Sequence, residues 1–299
     1  MKRALLVALL VTAPVAATES DASCAGEHEG ARLKRRGLGE AGKAVRIGLV
    51  ADAKEPLTAT LGNLERFAGV FHREKVVAVL LLGGLGSTEE EIARVITALK
   101  AAQAPLFALP GDREPEAAFH AGVLRARKAG LDVTDLSQAR AVAGDGLGLF
   151  SLPGERSAHY LAPGGCGYGA ADVGRLAELD GWLAADAERP VLLIAHSAPR
   201  GSGPLALDWA VAGANDGDPE LAKLLPALKA RVGAFAGGAD SRLTDGQAPV
   251  AEGTWSERLY VNVGAADAVP HELAGGGMGR GQAMLLELHD GKARAKVVR

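Results

Sequence analysis

The sequence is poor in aromatic residues, in cysteine and in net charge. Aromatic side chains make up 4% of its 299 residues, so leucine, valine and alanine must fill most of the core. A formal net charge of −3 argues against electrostatic binding of nucleic acid. Because no run after the N-terminal region approaches about 18 apolar residues, no transmembrane helix is expected. The chain is 48% hydrophobic with 40 glycines, which suits one large α/β domain with a sizeable core.

The N-terminus has the features of an export signal. Lys2 and Arg3 provide a basic start, the run from Ala4 to Val11 is apolar, and small residues continue to Ala17. This pattern is typical of a signal peptide that is removed by cleavage after the small residues. We therefore expect residues 1–17 to be a signal peptide and the protein to be exported, to the periplasm or the extracellular space.

The two cysteines, Cys24 and Cys166, are compatible with three states. In an exported protein they could form a disulfide. Cys24 could instead be the lipidated first residue of a lipoprotein, although Asp21 stands where such signals favour an apolar residue. Both could also be unpaired thiols.

After the signal the sequence predicts a linker and then one folded domain. Residues 18–44 are polar and charged without apolar periodicity, which is typical of a flexible linker. Apolar runs then alternate with amphipathic stretches, and the end of the chain is rich in strands, which predicts an α/β domain with a mixed sheet over residues 45–299. The predicted helices are 57–74, 87–102, 115–129, 171–187, 205–212 and 219–230, and the predicted strands are 45–50, 76–82, 105–109, 131–133, 139–143, 147–152, 191–195, 232–236, 258–263, 283–288 and 293–298.

Five loops that follow apolar strands carry most of the residues that could do chemistry. They are Ala51–Lys54, Gly83–Leu85, Gly111–Glu114, Ala195–Pro199 and Gly237–Asp240. In order and setting they resemble the metal-binding loops of calcineurin-like metallophosphoesterases, which read Asp-x-His, Gly-Asp, Gly-Asn-His-Asp/Glu, a strand ending in His, and Gly-His-x-His. The resemblance covers residues 45–298. It implies two facing mixed β-sheets flanked by helices, a four-layer sandwich with a metal centre at the carboxyl ends of the strands.

Four residues are the candidate metal ligands that the resemblance carries over. Asp52 and His196 match family ligands, whereas Asp112 stands in place of an asparagine and Asp240 in place of a histidine. Carboxylate and imidazole groups suit hard or borderline divalent ions. An altered site that holds one divalent metal ion between these residues would make the chain a hydrolase of phosphate esters.

The other ligand positions have lost their metal-binding groups. Gly84 stands in place of the aspartate that bridges both metals, and Lys54 and Gly238 stand in place of histidines. Without a shared anion, two cations at close range repel each other. The sequence therefore predicts no dinuclear centre, no bound cofactor and impaired catalysis.

Two of the replacements introduce positive charge. Lys54 replaces a ligand, and Arg113 replaces the histidine that acts on the leaving group or phosphate. Together with His196 they form a candidate site for phosphate or another anionic ligand, in which Arg113 and His196 hold the family's catalytic positions. The alternative is a salt-bridge cluster with the neighbouring aspartates that only preserves the fold.

Three functions fit these residues. The first is an exported protein of the metallophosphoesterase fold that has lost catalysis and acts in binding. The second is a hydrolase with an altered, mononuclear metal site. The third is a scaffold whose outer surface binds another protein. Metal content separates the second function from the others, and ligand protection against thermal unfolding separates the first from the third.

Overall fold

The computed structural model describes residues 32–185, 189–209, 214–238, 240–272 and 277–299. Its α-helices are α1 (Thr58–Arg73), α2 (Glu89–Ala98), α3 (Glu116–Lys128), α4 (Ala170–Leu183) and α5 (Pro219–Leu224), with 3-10 turns at Leu99–Ala102 and Leu225–Ala227. Its strands are β1 (Arg32–Lys34), β2 (Val45–Val50), β3 (Ala78–Leu82), β4 (Leu106–Leu109), β5 (Val133–Asp135), β6 (Ala141–Ala143), β7 (Gly148–Leu152), β8 (Val191–Ala195), β9 (Val232–Phe235), β10 (Arg242–Thr244), β11 (Leu259–Asn262), β12 (His271–Glu272), β13 (Met278–Gly279), β14 (Ala283–His289) and β15 (Lys292–Val298).

The long strands form two sheets. A 6-stranded sheet has the order β15-β14-β2-β3-β4-β5, and a 7-stranded sheet has the order β1-β6-β7-β8-β9-β11-β10. Strands β2 to β5 run parallel to one another, as do β7, β8, β9 and β11, whereas β14 and β10 pair antiparallel with their neighbours. Both sheets are therefore mixed, and the α/β prediction is confirmed.

Alternate residues of the central strands face different layers. Leu80 of β3 packs in the core between the two sheets, where it joins Leu192 of β8. Its neighbours Val79 and Leu81 pack instead in the core beneath α1, α2 and α3. A third core lies between the 7-stranded sheet and α4 with α5. Helices thus cover both outer faces of two facing sheets, and the predicted four-layer sandwich is confirmed.

The folded part begins earlier than the sequence predicts. Residues Arg32–Lys34 pair in parallel with β6, and Leu38 is fully buried in the core between the sheets. Arg35 donates hydrogen bonds to Asp132 and Thr134. The predicted boundary at residue 45 is therefore too late. The partners of this segment lie about a hundred residues away, so local periodicity could not reveal the strand.

One predicted helix is corrected. Residues 205–208 form turns and a bend, Trp209 makes an isolated bridge to Asn215, and residues 210–212 of the prediction lie outside the described residues. The carboxylate of Asp208 accepts hydrogen bonds from the backbone N–H groups of Gly201 and Gly217. Side-chain to backbone bonds of this kind stabilise a loop in competition with helix.

The predicted signal peptide and Cys24 also lie outside the described residues. Cys166 is buried and disulfide-bonded. Within the described ranges, none of the helices is long and apolar enough to cross a membrane.

Candidate functional site

The five loops meet in one crevice at the carboxyl ends of β2, β3, β4, β8 and β9. Gly83 and Gly111 pack directly against the imidazole of His196. The N–H of Gly237 lies 3.4 Å from Oδ2 of Asp52, and the N–H of Asp52 donates to the carbonyl of Gly83 at 3.0 Å. The carboxyl ends of the parallel strands open at one edge of each sheet, and the two facing sheets bring the loops after β2, β3 and β4 together with those after β8 and β9. The predicted convergence is confirmed.

The loop after β2 holds two residues in the left-handed region. Asp52 has φ 51° and Lys54 has φ 55°. This conformation is uncommon for residues other than glycine, and it persists where surrounding contacts fix it. Here the N–H of Lys54 donates to the carbonyl of Gly84 at 2.6 Å, and the N–H of Asp267 donates to the carbonyl of Asp52 at 3.1 Å. The loop is therefore fastened on both sides, with the carboxylate of Asp52 buried in the crevice.

His196 lies at the centre of the crevice and is almost completely buried. Its Nδ1 atom is 2.7 Å from the carbonyl oxygen of Leu82, so Nδ1 carries a proton and donates it. Its Nε2 atom lies 3.2 Å from Oδ1 of Asp112. Side chains at Gly83 and Gly111 would clash, since a Cβ at either place would lie within 2.7 Å of the ring. The two glycines thus make room for the imidazole.

The charges around His196 change its protonation. Burial alone would lower the pKa of His196, but its contact with Asp112 and the charges of Asp52, Asp112 and Glu155 raise that pKa well above its ordinary value. Burial would raise the pKa of Asp112, yet His196 holds it below its ordinary value. The pKa of Asp52 is raised, chiefly by burial, although His196 opposes the shift. A protonated imidazole between two aspartates is the consequence.

A single divalent ion fits the donor set that remains. Asp52, Asp112 and His196 each offer one ligand atom, and these atoms lie within 4.8 Å of one another. The Nδ1–H bond to the backbone leaves Nε2 of His196 as the metal-binding atom, as in many metal sites. Oδ1 of Asp112 is buried and meets no donor at hydrogen-bond angles among the described residues, so its approach to Nε2 is an ion-pair contact that a metal could replace.

Neighbouring atoms lie close to the two glycines that replace family ligands. Gly84 has φ 67°, and a Cβ there would overlap Oδ1 of Asp52 and lie 2.8 Å from its Cα. An aspartate side chain has no room at this bridging position unless the backbone moves. At Gly238 a Cβ would lie 2.5 Å from Nδ2 of Asn262, so that position is also closed to a histidine. The replaced positions are therefore packed shut by neighbouring atoms.

The two introduced cations pair with other carboxylates, although the charge of Lys54 still lowers the pKa of Asp52 and that of Arg113 lowers the pKa of Asp112. Nζ of Lys54 lies 2.7 Å from Oδ2 of Asp267, and Nη2 of Arg113 lies 3.1 Å from Oε1 of Glu55. The prediction that these cations pair with Asp52, Asp112 or Asp240 is thus corrected. Lys54 pairs with Asp267, and Arg113 pairs with Glu55. The side chains of Lys54 and Arg113 are 38% and 35% exposed, whereas that of Asp267 is buried.

Asp240 is not part of the Asp52–Asp112–His196 group. It is half-buried, and its charge acts on Arg242 instead. Among the described residues, three of the four predicted ligands cluster, and the role of Asp240 stays a prediction.

Glu114 closes the floor of the crevice. Its carboxylate is fully buried and accepts hydrogen bonds from the N–H groups of Leu85 and Gly111, the latter at 2.8 Å. Burial raises the pKa of Glu114, although these two bonds oppose the shift. The residue joins the loops after β3 and β4 and thereby positions them.

Acidic residues that the motifs did not identify line the mouth of the crevice. A cleft of about 190 Å³ is lined by Asp112 and His196 together with Glu155, Asp208 and Asp216. Glu155 accepts a hydrogen bond of 2.7 Å from the hydroxyl of Ser197. Sequence reasoning missed Glu155 and Asp208 because they match no motif, and it interpreted Asp216 as part of a turn before α5, so only the fold brings these acids to the cleft.

The comparisons with known proteins identify the fold. No family model and no curated protein matches the sequence. Protein TT1561 of Thermus thermophilus is 17% identical, with a TM-score of 0.57 over 86% of this chain and 100% of that one. A dimetal phosphatase from Danio rerio is 12% identical, with a TM-score of 0.51 over 85% and 98%. A purple acid phosphatase from yellow lupin is 11% identical, with a TM-score of 0.52 over 84% and 50%. The chain has the metallophosphoesterase fold that its loops predict.

Proposed function

We propose that this chain is an exported protein that uses the metallophosphoesterase fold for binding and has lost two-metal phosphoesterase catalysis. The observation that carries the proposal is Gly84, where the bridging carboxylate is absent and its space is filled by Asp52. Dinuclear hydrolysis needs both ions, one to clamp the phosphate and one to activate the nucleophile. Without the bridging anion the two ions repel each other.

The charge balance of the crevice supports this proposal. The imidazole of His196, protonated by its acidic neighbours, supplies one positive charge between Asp52 and Asp112. That cation offsets part of the negative charge that metal ions neutralise in a phosphoesterase. The buried acids are therefore compatible with a stable fold that needs no metal.

The surroundings favour a cationic ligand in the crevice over an anionic one. Lys54 and Arg113, the residues that the sequence offers to phosphate, are each paired with a carboxylate. A phosphate would have to displace those pairs and approach the acidic mouth formed by Glu155 and Asp208. We propose that a divalent metal ion is the ligand that this crevice accepts.

A mononuclear hydrolase is the second candidate, and the clustering of Asp52, Asp112 and His196 favours it. A metal ion held there would supply a Lewis acid for a phosphate ester. The residues themselves would fix the ion, since Leu82 holds the imidazole so that Nε2 faces the two carboxylates. A binding role needs nothing more than this, whereas hydrolysis also needs a group that positions the ester.

The test is a turnover assay of the mature protein with phosphate monoesters and diesters in the presence of manganese, zinc or iron. We expect no turnover above that of an Asp52→Asn control that retains the wild-type fold. Turnover that depends on added metal and is lost in Asp52→Asn would overturn the binding proposal and establish the mononuclear hydrolase. A scaffold role would leave the protein without metal protection against thermal unfolding.

Export is proposed from the N-terminal pattern, and the disulfide at Cys166 supports it because disulfides persist in oxidising compartments. The intact mass of the exported protein tests this. We expect the mass of a chain cleaved near residue 17, without lipid. A mass that corresponds to a chain beginning at acylated Cys24 would establish the lipid anchor instead, and an uncleaved mass would contradict export by this signal.

A further inference from the structure

A sixth loop reaches the crevice, and it carries Glu155. Strand β7 pairs in parallel with β8, and their last residues, Leu152 and Ala195, are partners in the register. The loops that follow therefore leave the sheet side by side. This brings Oε2 of Glu155 to the residue after His196, where it accepts a hydrogen bond of 2.7 Å from the hydroxyl of Ser197.

The loop of Glu155 is fastened to the loop that carries Asp112. The N–H of Gly154 donates to the carbonyl of Pro110 at 2.8 Å. Further along, the N–H of Ala162 donates to the carbonyl of Asp112, also at 2.8 Å. Backbone hydrogen bonds thus fix the position of Glu155 relative to one of the candidate metal ligands.

The carboxylate of Glu155 is held by uncharged donors. Its Oε1 atom accepts from the N–H of Ser157 at 2.9 Å, and its Oε2 atom accepts from Ser197. The neighbouring Arg156 pairs instead with Asp218, at 3.2 Å. Among the described residues, no lysine or arginine forms an ion pair with Glu155, so its charge is not neutralised by a direct contact.

This charge faces the donor set of the crevice. Glu155 lines the cleft together with Asp112 and His196, and its charge acts on His196. Its carboxylate is not among the ligand atoms that lie within 4.8 Å of one another, so it does not coordinate an ion in this geometry. Because the residue is half-buried, solvent screens its charge less than that of an exposed acid.

The other two acids at the mouth of the crevice are placed differently. Asp208 accepts hydrogen bonds from three donors of the surrounding loops, which it holds together. Asp216 is exposed, and its carboxylate accepts from the hydroxyl of Tyr160 at 3.2 Å. Glu155 is therefore the acid of the mouth that is best placed to attract a cation to the floor of the crevice.

We propose that Glu155 strengthens the binding of a divalent ion by Asp52, Asp112 and His196 through its charge, without coordinating the ion itself. The inference rests on the proposed metal binding of the crevice. Groups outside the direct ligands of a metal typically change its affinity by about tenfold to a hundredfold.

Titration of the mature, metal-free protein with Co²⁺, followed by visible absorption, tests the proposal. We expect Glu155→Gln to weaken Co²⁺ binding about tenfold, while the spectrum of the loaded protein stays that of the wild type because the coordinating atoms are unchanged. Glutamine keeps an oxygen acceptor for Ser197, so the melting temperature of the metal-free variant should match that of the wild type. Glu155→Asp keeps the charge and should restore most of the lost affinity.

Two matched variants separate this role from a general effect of charge. Asp216→Asn removes a charge from the exposed edge of the same cleft and should weaken Co²⁺ less than Glu155→Gln does, because solvent screens it. Glu178→Gln, on the exposed face of α4, should leave the affinity unchanged. Wild-type affinity in Glu155→Gln, a changed spectrum, or an equal loss in Glu155→Asp would overturn the proposal and leave metal binding intact. No binding of Co²⁺ by the wild type would instead overturn the metal binding on which the proposal rests.

Discussion

Replacement of Lys54 by methionine should lower the free energy of unfolding by about 1–2 kcal/mol. Nζ of Lys54 lies 2.7 Å from Oδ2 of Asp267, and the carboxylate side chain is 4% exposed while the lysine side chain is 38% exposed. Loss of one partner from a fully buried pair costs about 3–5 kcal/mol, whereas an exposed pair contributes under about 1 kcal/mol. A pair with one buried and one partly exposed member falls between these limits. Methionine keeps most of the aliphatic stem, so the loss measures the charge.

The backbone at this position allows a second, independent variant. Lys54 has φ 55°, a conformation that glycine adopts without the cost that a side chain imposes, about 1 kcal/mol. Lys54→Gly loses the same ion pair but relieves this cost. It should therefore be less destabilised than Lys54→Met. The order of the two variants would be reversed if the loop were free to leave the left-handed region.

The assay is urea denaturation at neutral pH, arranged as a double-mutant cycle with Asp267→Asn. The cycle isolates the interaction between Lys54 and Asp267 from the separate effects of each change. We expect a coupling of about 1 kcal/mol or more that falls only slightly at high salt, because the carboxylate is buried. A coupling below about 0.3 kcal/mol would show that solvent screens the pair, and the reasoning from burial would be refuted.

Three further predictions concern other parts of the structure. Gly84→Asp should destabilise the protein by at least about 2 kcal/mol in thermal melts and should not raise manganese uptake, because its Cβ overlaps Asp52; a stable variant with higher uptake would show that the bridging position is open. The pKa of His120 is raised, chiefly by its hydrogen bond to Asp135. Wild type should therefore have a higher free energy of unfolding than His120→Gln below about pH 6.5, and this difference should be lost as pH rises through the folded-state pKa. Urea denaturation at several pH values measures it. A difference that stays constant with pH would contradict the pairing of His120 with Asp135. Glu114→Gln should cost about 1–3 kcal/mol in the same assay, because an amide cannot accept both N–H groups in the same way; wild-type stability would show that the clamp is dispensable.

The crevice could be predicted from sequence because its parts follow the ends of parallel strands. Asp52 and Asp112 follow apolar runs that become β2 and β4 of one sheet, and His196 follows the run that becomes β8 of the facing sheet. The order of these loops matches that of the metallophosphoesterase family, and this resemblance predicted that the three side chains lie together. The four-layer arrangement also came from the resemblance, whereas the alternation of strand and helix indicated only an α/β domain with a mixed sheet.

The charge pairs could not be predicted in this way. Lys54 is paired with Asp267, more than two hundred residues later, on a loop that carries no motif. Arg113 reaches Glu55, which the sequence gives no reason to single out. A long cationic side chain pairs with whichever carboxylate lies near it in the folded structure, and the loops around the crevice contain several carboxylates. The strand at residues 32–34 was missed for a related reason, since its partner strand begins at residue 141.

The most direct test of the central claim is the number of metal ions per chain in the purified mature protein after equilibration with excess manganese or zinc. We predict no more than one ion per chain, and none in His196→Gln, because Asp52, Asp112 and His196 are the donors that the crevice keeps. Two ions per chain, both lost in Asp52→Asn, would contradict the account and would mean that a dinuclear centre forms despite Gly84.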